Sequence, residues 1–301
     1  MNTKFNFSIR AACHSSFVGA ACAAVFMTIS ANARAQNLFV SDYYNGTIYE
    51  YTPGGVQSTF ASGLNTPYGL AFNSAGDLFE ANANSIGTGT INEYTPGGAQ
   101  STFASGLSDP IGLAFNSAGD LFEADANSGH IYEFTSSGVR STFASLSYSP
   151  IGMAFNSGGS LFVTDFSGGN IYEYSPLGVQ STFTSGLHNP WGLAINSAGD
   201  LFVSEYGNNS ILEITPGGAQ SIFASGLNTP YGLAFNSAGD LFEADANSHN
   251  IYEFMPNGKR STFASGVIFP TLLAFQPVPE PSALALMAVG ITALMVRRRT
   301  R

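Results

Sequence analysis

Acidic residues recur at intervals of about forty residues along the middle of the chain, each at the end of a short apolar segment. The set comprises Asp42, Asp125, Asp165, Glu205 and Asp245, with Asn82 at the sixth equivalent position. Carboxylate and amide oxygens are hard ligands, so these residues are candidates for binding Ca²⁺ or another divalent metal. Such side chains also bond the backbone of their own hairpin. Recurrence in every repeat favours this structural role, and the sequence leaves the metal open.

Aromatic residues at the start of three repeats are candidates for ligand binding. They are Tyr68, Trp191 and Tyr231, and Trp191 is the only tryptophan of the chain. Aromatic faces stack on sugar rings and on cations. The alternative role is packing between neighbouring repeats. The sequence therefore predicts a binding surface for a sugar or a cation, with Trp191 as its best single probe.

Histidine offers a weaker candidate for catalysis. His188 lies in the segment Leu-His-Asn-Pro-Trp and is the residue that we would test first as a general base. An ordinary surface role is the simpler interpretation, because His130 and His249 fall in other repeats and at other positions. The sequence contains no Walker loop, no dinucleotide-binding fingerprint and no basic patch.

The middle of the chain is strongly acidic. Residues 36–276 contain three basic residues, Arg140, Lys259 and Arg260, and nineteen acids, which gives a formal charge of −16. Such a surface repels nucleic acid and anionic membranes and suits cations, neutral glycans or basic partners. Both cysteines, Cys13 and Cys22, lie before this region, so no disulfide can stabilise it.

A repeat in the sequence predicts the strands that position these residues. The motif Gly-Leu-Ala-Phe-Asn-Ser-Ala-Gly-Asp-Leu-Phe begins at Gly69, Gly112 and Gly232, with close variants at Gly152 and Gly192. Each unit holds four short apolar segments separated by Asn/Gly turns, which indicates four antiparallel strands. Six such units predict an all-β, six-bladed β-propeller over 36–276. Because the chain enters on a second strand and leaves on a first, pairing of the terminal strands should close the ring.

The repeat resembles the NHL repeat and is similar to those of virginiamycin B lyase-like and SMP-30-like propellers. This resemblance implies a six-bladed fold. It also implies an alternative function, a metal-dependent lyase or lactonase of the streptogramin lyase or SMP-30-like type. NHL repeats usually carry Arg before the third strand, where this chain has Thr47, Thr90, His130, Asn170, Ser210 and Asn250. Residues 60–81 and 223–244 are identical, and such uniformity favours a binding or scaffold role over catalysis, which needs different groups at one point.

The amino-terminal residues 1–35 have the pattern of a signal peptide. Lys4 and Arg10 form a positive region, an uncharged and mostly small or apolar segment follows, and Ala33-Arg34-Ala35 is a small-x-small cleavage site. The sequence thus predicts export through the secretion machinery, with Gln36 as the first mature residue.

The carboxy-terminal residues 277–301 have a different pattern. Pro279-Glu280-Pro281 precedes the uncharged segment 283–296, which is followed by Arg297, Arg298 and Arg299. Fourteen helical residues would span about 21 Å, which is short for a permanent membrane helix. The segment resembles the PEP-CTERM tail of Gram-negative bacteria, and this resemblance implies an exosortase partner and location in the envelope, at the surface or in the matrix. A plain membrane anchor is the alternative. The function expected from the sequence is a non-catalytic binding module, with exopolysaccharide as its candidate ligand.

Overall fold

The computed structural model describes residues 36–83 and 87–278, which form 24 β-strands and no helix. The first twelve are β1 (Leu38–Asp42), β2 (Thr47–Tyr51), β3 (Gln57–Ser62), β4 (Pro67–Phe72), β5 (Leu78–Asn82), β6 (Gly89–Tyr94), β7 (Gln100–Leu107), β8 (Pro110–Phe115), β9 (Leu121–Asp125), β10 (His130–Phe134), β11 (Arg140–Ser145) and β12 (Pro150–Phe155). The second twelve are β13 (Leu161–Asp165), β14 (Asn170–Tyr174), β15 (Gln180–Ser185), β16 (Pro190–Ile195), β17 (Leu201–Glu205), β18 (Ser210–Ile214), β19 (Gln220–Ser225), β20 (Pro230–Phe235), β21 (Leu241–Asp245), β22 (Asn250–Phe254), β23 (Arg260–Ser265) and β24 (Pro270–Phe275).

These strands form six antiparallel sheets of four strands, which confirms the predicted six-bladed propeller. Blade 1 has the order β24-β1-β2-β3, and blades 2 to 6 follow in chain order from β4. The predicted closure is also confirmed, because β1 pairs with β24, with Leu38 opposite Phe275 and Val40 opposite Leu273. The last strand of the chain therefore becomes the innermost strand of the first blade and covers the inner edge of β1.

Local turn chemistry explains why each unit folds into hairpins. In blade 3 the side-chain oxygen of Asn116 accepts hydrogen bonds from the backbone N–H groups of Ala118 and Asp120, both at 2.9 Å. Gly119 takes a φ of 88°, which suits glycine. The same turn recurs after strand one of blades 2 to 6. We call this side the hairpin face. The loops that follow strands two and four open on the other side, the loop face.

The core consists of the surfaces between neighbouring blades. A phenylalanine in strand two lies at the centre of each, and Phe122 packs edge-to-face on Phe143 and on Phe155 of the next blade, with ring centroids 5.1 and 5.0 Å away. Edge-to-face pairs of this kind add to the stabilisation from apolar burial. Strands one and two are largely buried, strand three is half-buried, and the outermost strand of each blade is mostly exposed. Both faces of strand two are thus covered by protein.

Glycines in the innermost strands allow neighbouring blades to approach closely. A Cβ atom at Gly152 would overlap the carbonyl oxygen of Trp191 in the next blade, and one at Gly192 would overlap that of Tyr231. The innermost strands are therefore in backbone contact around the channel, which fixes the radius of the ring.

Several predicted features lie outside the described residues. These are the signal peptide 1–35 with Ala33 and Ala35, and the sorting residues from Pro279 onward, including segment 283–296. The described residues contain no helix with the length and apolarity needed to cross a membrane. All strands lie between Leu38 and Phe275, inside the predicted range 36–276.

Candidate functional site

The three aromatic residues that the sequence singled out meet at the centre of the ring. Each is the second residue of an innermost strand, Tyr68 in blade 2, Trp191 in blade 5 and Tyr231 in blade 6. The ring centroids of Trp191 and Tyr231 are 4.5 Å apart. Tyr68 comes from the blade opposite Trp191, and their centroids are only 6.4 Å apart. These side chains therefore close the central channel at the loop face.

Five further aromatic residues extend this cluster, and sequence reasoning missed all of them. Tyr43 lies 5.1 Å from Tyr68, Tyr44 lies 4.7 Å from Phe269, and Phe166 lies 5.2 Å from Trp191, as centroid distances. Tyr206 contacts both Phe166 and Tyr231. We call the set the aromatic plate: Tyr43, Tyr44, Tyr68, Phe166, Trp191, Tyr206, Tyr231 and Phe269.

The plate has a floor, formed by Tyr68, Trp191 and Tyr231, and an exposed rim that includes Tyr44 and Tyr206. Trp191 and Tyr231 are each 9% exposed, whereas Tyr44 is 67% and Tyr206 is 39% exposed. The predicted residues thus pack against one another, as the alternative interpretation held. They also lie beneath the exposed rings that a ligand would meet first. Packing and binding are compatible in this arrangement, because a rigid floor holds the rim in place.

Buried hydroxyl groups position the floor. Ser41, Thr164 and Ser204 each donate a hydrogen bond to the backbone carbonyl of a floor residue in the next blade, namely Tyr68 at 2.7 Å, Trp191 at 3.0 Å and Tyr231 at 2.6 Å. The other three blades have alanine at the equivalent position, Ala81, Ala124 and Ala244. Each of the three predicted aromatic residues therefore has its backbone carbonyl held by a hydroxyl group of the preceding blade.

The floor contains polar groups as well as aromatic faces. No described residue accepts a hydrogen bond from the buried Nε1–H of Trp191. Burial raises the pKa of Tyr231 to about 12 and raises the pKa of Tyr68 further, with smaller contributions from neighbouring tyrosines. Both phenols therefore stay protonated at neutral pH. The plate combines aromatic faces with phenol hydroxyl groups, a set of groups that matches the hydroxyl-rich rings of a sugar.

The acids that end strand two connect pairs of loops on the loop face. Asp42 accepts hydrogen bonds from the backbone N–H of Asn45 in its own hairpin and from those of Ile268 and Phe269 in the loop that precedes β24. Asp125 does the same with Ser108, Asp109 and Ser128. These carboxylates therefore fix the loops that carry the plate, which is the structural role that their repetition suggested.

The remaining acids follow the same pattern. Asp165 accepts from Gly168, Asp245 from Asn228 and Ser248, and Glu205 from His188. Asn82 is buried at the sixth position. Among residues 36–83 and 87–278, no three His, Cys, Asp or Glu side chains lie close enough together to hold a metal ion. Ca²⁺ binding by this set stays an untested prediction of the sequence.

We expect Ca²⁺ to leave the stability of the protein unchanged, because backbone N–H groups already occupy the acidic side chains. A cation that binds the folded state at a hundred times its Kd would stabilise it by about 3 kcal/mol and raise Tm. Thermal unfolding with Ca²⁺, with Mg²⁺ at equal ionic strength and with chelator measures this directly. A rise in Tm with Ca²⁺ alone, reversed by chelator, would contradict the expectation and identify a calcium site.

The histidines do not converge. His188 is 64% exposed, with its Nδ1 atom 3.7 Å from Glu205 Oε1 and 2.9 Å from the side-chain nitrogen of Asn208. His130 stacks on Tyr132 in blade 3, and His249 Nδ1 lies 2.6 Å from the carbonyl oxygen of Ile268. The three described histidines of the propeller thus occupy three separate places, and none belongs to the aromatic plate.

A large groove lies away from the plate. It is a groove of about 830 Å³ between blades 5 and 6 on the hairpin face, and Phe202, Phe235 and Met255 are among the residues that line it. Glu213 is the one titratable residue in its lining. A groove of 560 Å³ occupies the equivalent place between blades 3 and 4. This feature therefore belongs to the repeat and brings together no reactive groups.

Comparison with protein families supports both parts of the sequence interpretation. An NHL repeat matches residues 187–213, which include the loop of His188 and the floor residue Trp191. A PEP-CTERM protein-sorting motif matches residues 277–299, which include Pro279-Glu280-Pro281 and the three arginines. This motif implies exosortase-dependent sorting and an exported protein of the cell envelope. Comparison with curated protein sequences gives no significant match.

Solved structures share the fold at low sequence identity. The chain matches a structure of a nidogen/laminin complex at 18% identity and a TM-score of 0.72, over 81% of this chain and 99% of the other. It matches virginiamycin B lyase from Staphylococcus aureus at 16% identity and a TM-score of 0.63, over 83% and 93%. A streptogramin B lyase matches at 17% identity and 0.57, over 76% and 74%. These similarities show the fold of a six-bladed propeller and leave the activity to the site.

Proposed function

We propose that this exported propeller is a non-catalytic glycan-binding module of the cell surface or matrix, with exopolysaccharide as its ligand. The observation that carries the proposal is the aromatic plate, in which exposed Tyr44 and Tyr206 flank a buried floor that contains Trp191 and Tyr231. Aromatic rings stack on the apolar faces of sugars, and the exposed phenol groups of Tyr44 and Tyr206 would exchange hydrogen bonds with sugar hydroxyl groups. The sorting motif supports a location where such polymers occur.

The distribution of polar groups supports binding over turnover. A lyase or lactonase would need a base and metal ligands directed at one bond of the substrate. Here His188, the histidine that the sequence singled out, lies on an exposed loop where it contacts Asn208 and Glu205. The side chains that do converge are aromatic, and burial raises the pKa values of the floor phenols Tyr68 and Tyr231, which stay protonated at neutral pH and are therefore poor bases.

Calorimetric titration of the purified protein tests this function. We expect saturable binding of the host exopolysaccharide or of a neutral probe, cellohexaose or the N-acetylglucosamine hexamer, with a change in Trp191 fluorescence. Trp191→Ala should raise Kd at least about tenfold, because central aromatic anchors contribute most to binding. Tyr206→Ala should also weaken binding, and this exposed residue can be replaced with little risk to the fold.

Leu177→Ala provides the control, because Leu177 is 91% exposed and lies on the hairpin face. Its replacement should leave Kd unchanged. Binding that Tyr206→Ala and Trp191→Ala leave intact would place the ligand elsewhere on the propeller. No saturable heat and no fluorescence change with any glycan would overturn the proposed function.

A further inference from the structure

The aromatic plate lies among the acidic residues of the loop face. The acids of the loop face are Asp42, Asp109, Asp125, Asp165, Glu205 and Asp245. Their partners among the described residues are mainly neutral N–H groups, which orient a carboxylate without cancelling its charge. Arg140 lies over the ring of Tyr132 and Arg260 over that of Tyr252. Arg260 also donates a hydrogen bond to the carbonyl oxygen of Gly226 and opposes the rise that burial causes in the pKa of Asp245. Because the acids of the loop face outnumber the arginines, the electrostatic field at the plate is negative.

Asp109 is an acidic residue near the plate that occurs at its repeat position in one blade only. It precedes the innermost strand of blade 3, at a position where the other blades have Thr66, Ser149, Asn189, Thr229 and Phe269. Its backbone N–H donates to Asp125 and its carbonyl oxygen accepts from Ala126, so the main chain here is fixed. Ala126 packs in the hydrophobic cluster that contains Trp191 and Tyr231, and so does Ile111, which lies two residues after Asp109. Asp109 is thus a fixed, non-repeated acid beside the aromatic floor.

The charge of Asp109 has no counterion in the described chain. The residue forms no ion pair there, and the one ion pair of the loop face joins His188 to Glu205. Burial and then the charge of Asp125 raise the pKa of Asp109 above its ordinary value, and the Asp109 charge contributes to the raised pKa of Tyr68. An uncompensated carboxylate next to electron-rich ring faces is an arrangement that a bound cation would stabilise.

We propose that the ligand of the plate is an amine-bearing glycan, whose ammonium group binds at Asp109 and Tyr68 while its sugar rings stack on the plate. This inference rests on the proposed function and specifies the substrate class. Acidic glycans are disfavoured, because the propeller carries nineteen acids against three basic residues. Neutral glycans would use the aromatic faces and leave Asp109 without a partner.

Titration with matched oligosaccharides tests the proposal. The glucosamine hexamer and the N-acetylglucosamine hexamer differ in the amine alone, and a galacturonate hexamer carries the opposite charge. We expect the glucosamine hexamer to bind about tenfold more tightly than its acetylated form at low salt, with the difference falling as salt is added. The galacturonate hexamer should not bind.

Asp109→Asn should abolish this tenfold preference and leave binding of the acetylated hexamer unchanged. The control is Asp120→Asn, which removes one charge from the same blade on the hairpin face and should have no effect on Kd. Equal affinity for both hexamers, or a preference that survives Asp109→Asn, would overturn the amine assignment while leaving the glycan function standing. Failure of every glycan to bind would overturn the glycan function itself.

Discussion

Replacing Gly152 with alanine is expected to destabilise the propeller by about 3 kcal/mol or more and to weaken ligand binding. The added Cβ would overlap the carbonyl oxygen of Trp191 and approach Leu193 N and Thr164 Oγ1 to 3.2 Å. The overlapping atom belongs to the backbone of the next blade, so no side-chain rotation can relieve the clash. The innermost strand of blade 5 would have to move, and the floor of the plate would move with it.

Denaturant unfolding measures the loss of stability, and Trp191 fluorescence reports the displacement. Gly217→Ala is the matched control. Gly217 has no positive φ, and the nearest heavy atom to a Cβ added there is Thr215 Oγ1 at 3.9 Å, an ordinary contact. This variant should change the free energy of unfolding by less than about 1 kcal/mol. A similarly small change in Gly152→Ala would show that the inner strands tolerate separation and would contradict close backbone contact as the determinant of ring radius.

The fold was predictable from sequence because its determinants are local and repeated. Asn116 and Gly119 define a hairpin wherever their motif recurs, and counting the repeated strand segments gives the number of blades. Ring closure followed from the same counting, since the first strand of one blade appears at the far end of the chain. None of these steps required knowledge of which side chains meet across the ring.

The aromatic plate was predictable only in part. Tyr68, Trp191 and Tyr231 were identified because they occupy one motif position, but their meeting depends on the ring radius, which sequence does not supply. Tyr43, Phe166 and Tyr206 follow strand two in blades 1, 4 and 5, where the other blades have alanine. Departure from the repeat was therefore the signal that sequence reasoning overlooked. In a protein of near-copies, positions that differ between copies indicate the site better than positions that agree.

The same comparison of repeats reveals three buried glutamates. Glu80, Glu123 and Glu243 lie at the centre of strand two and are fully buried, and the other blades have valine there, Val40, Val163 and Val203. Glu123 lies between Leu113 and Tyr132 in its sheet, and Val163 lies between Met153 and Tyr172. Three blades of the same chain thus have valine in closely similar surroundings. Replacement of one of these glutamates by valine is therefore a change that the fold already accommodates elsewhere.

These glutamates lack adequate partners. No described residue hydrogen-bonds the carboxyl oxygens of Glu123 or Glu243, while Asn92 donates to Glu80 at 2.8 Å. Burial raises the pKa of Glu80 to about 7. Burial raises the pKa of Glu123 well above its ordinary value, with Asp125 and Asp109 adding to the shift and Arg140 opposing it. Burial also raises the pKa of Glu243, where Asp245 adds and Arg260 opposes.

The direction of the pH dependence follows from these shifts. A folded pKa above the unfolded value means that the folded state holds its proton at a pH where the unfolded state has lost it. The stabilisation is fully present below pH 4.5 and is lost as the pH rises through the folded pKa. For Glu80 the loss falls between pH 4.5 and about 7 and amounts to about 3 kcal/mol. The protein should therefore be more stable at pH 5 than at pH 8.

We expect Glu123→Val and Glu243→Val each to raise the free energy of unfolding at pH 8 by on the order of 2 kcal/mol and to flatten its dependence on pH. Removing an unsatisfied buried carboxyl group has this effect when an apolar side chain fills the space. Denaturant unfolding from pH 4.5 to 8 measures both quantities. The reciprocal variant Val163→Glu should destabilise the protein and steepen the dependence, since it places a further glutamate at the buried centre of strand two. Loss of stability at pH 8 in the two valine variants would contradict the argument, because it would mean that the carboxyl groups make stabilising interactions in the folded state.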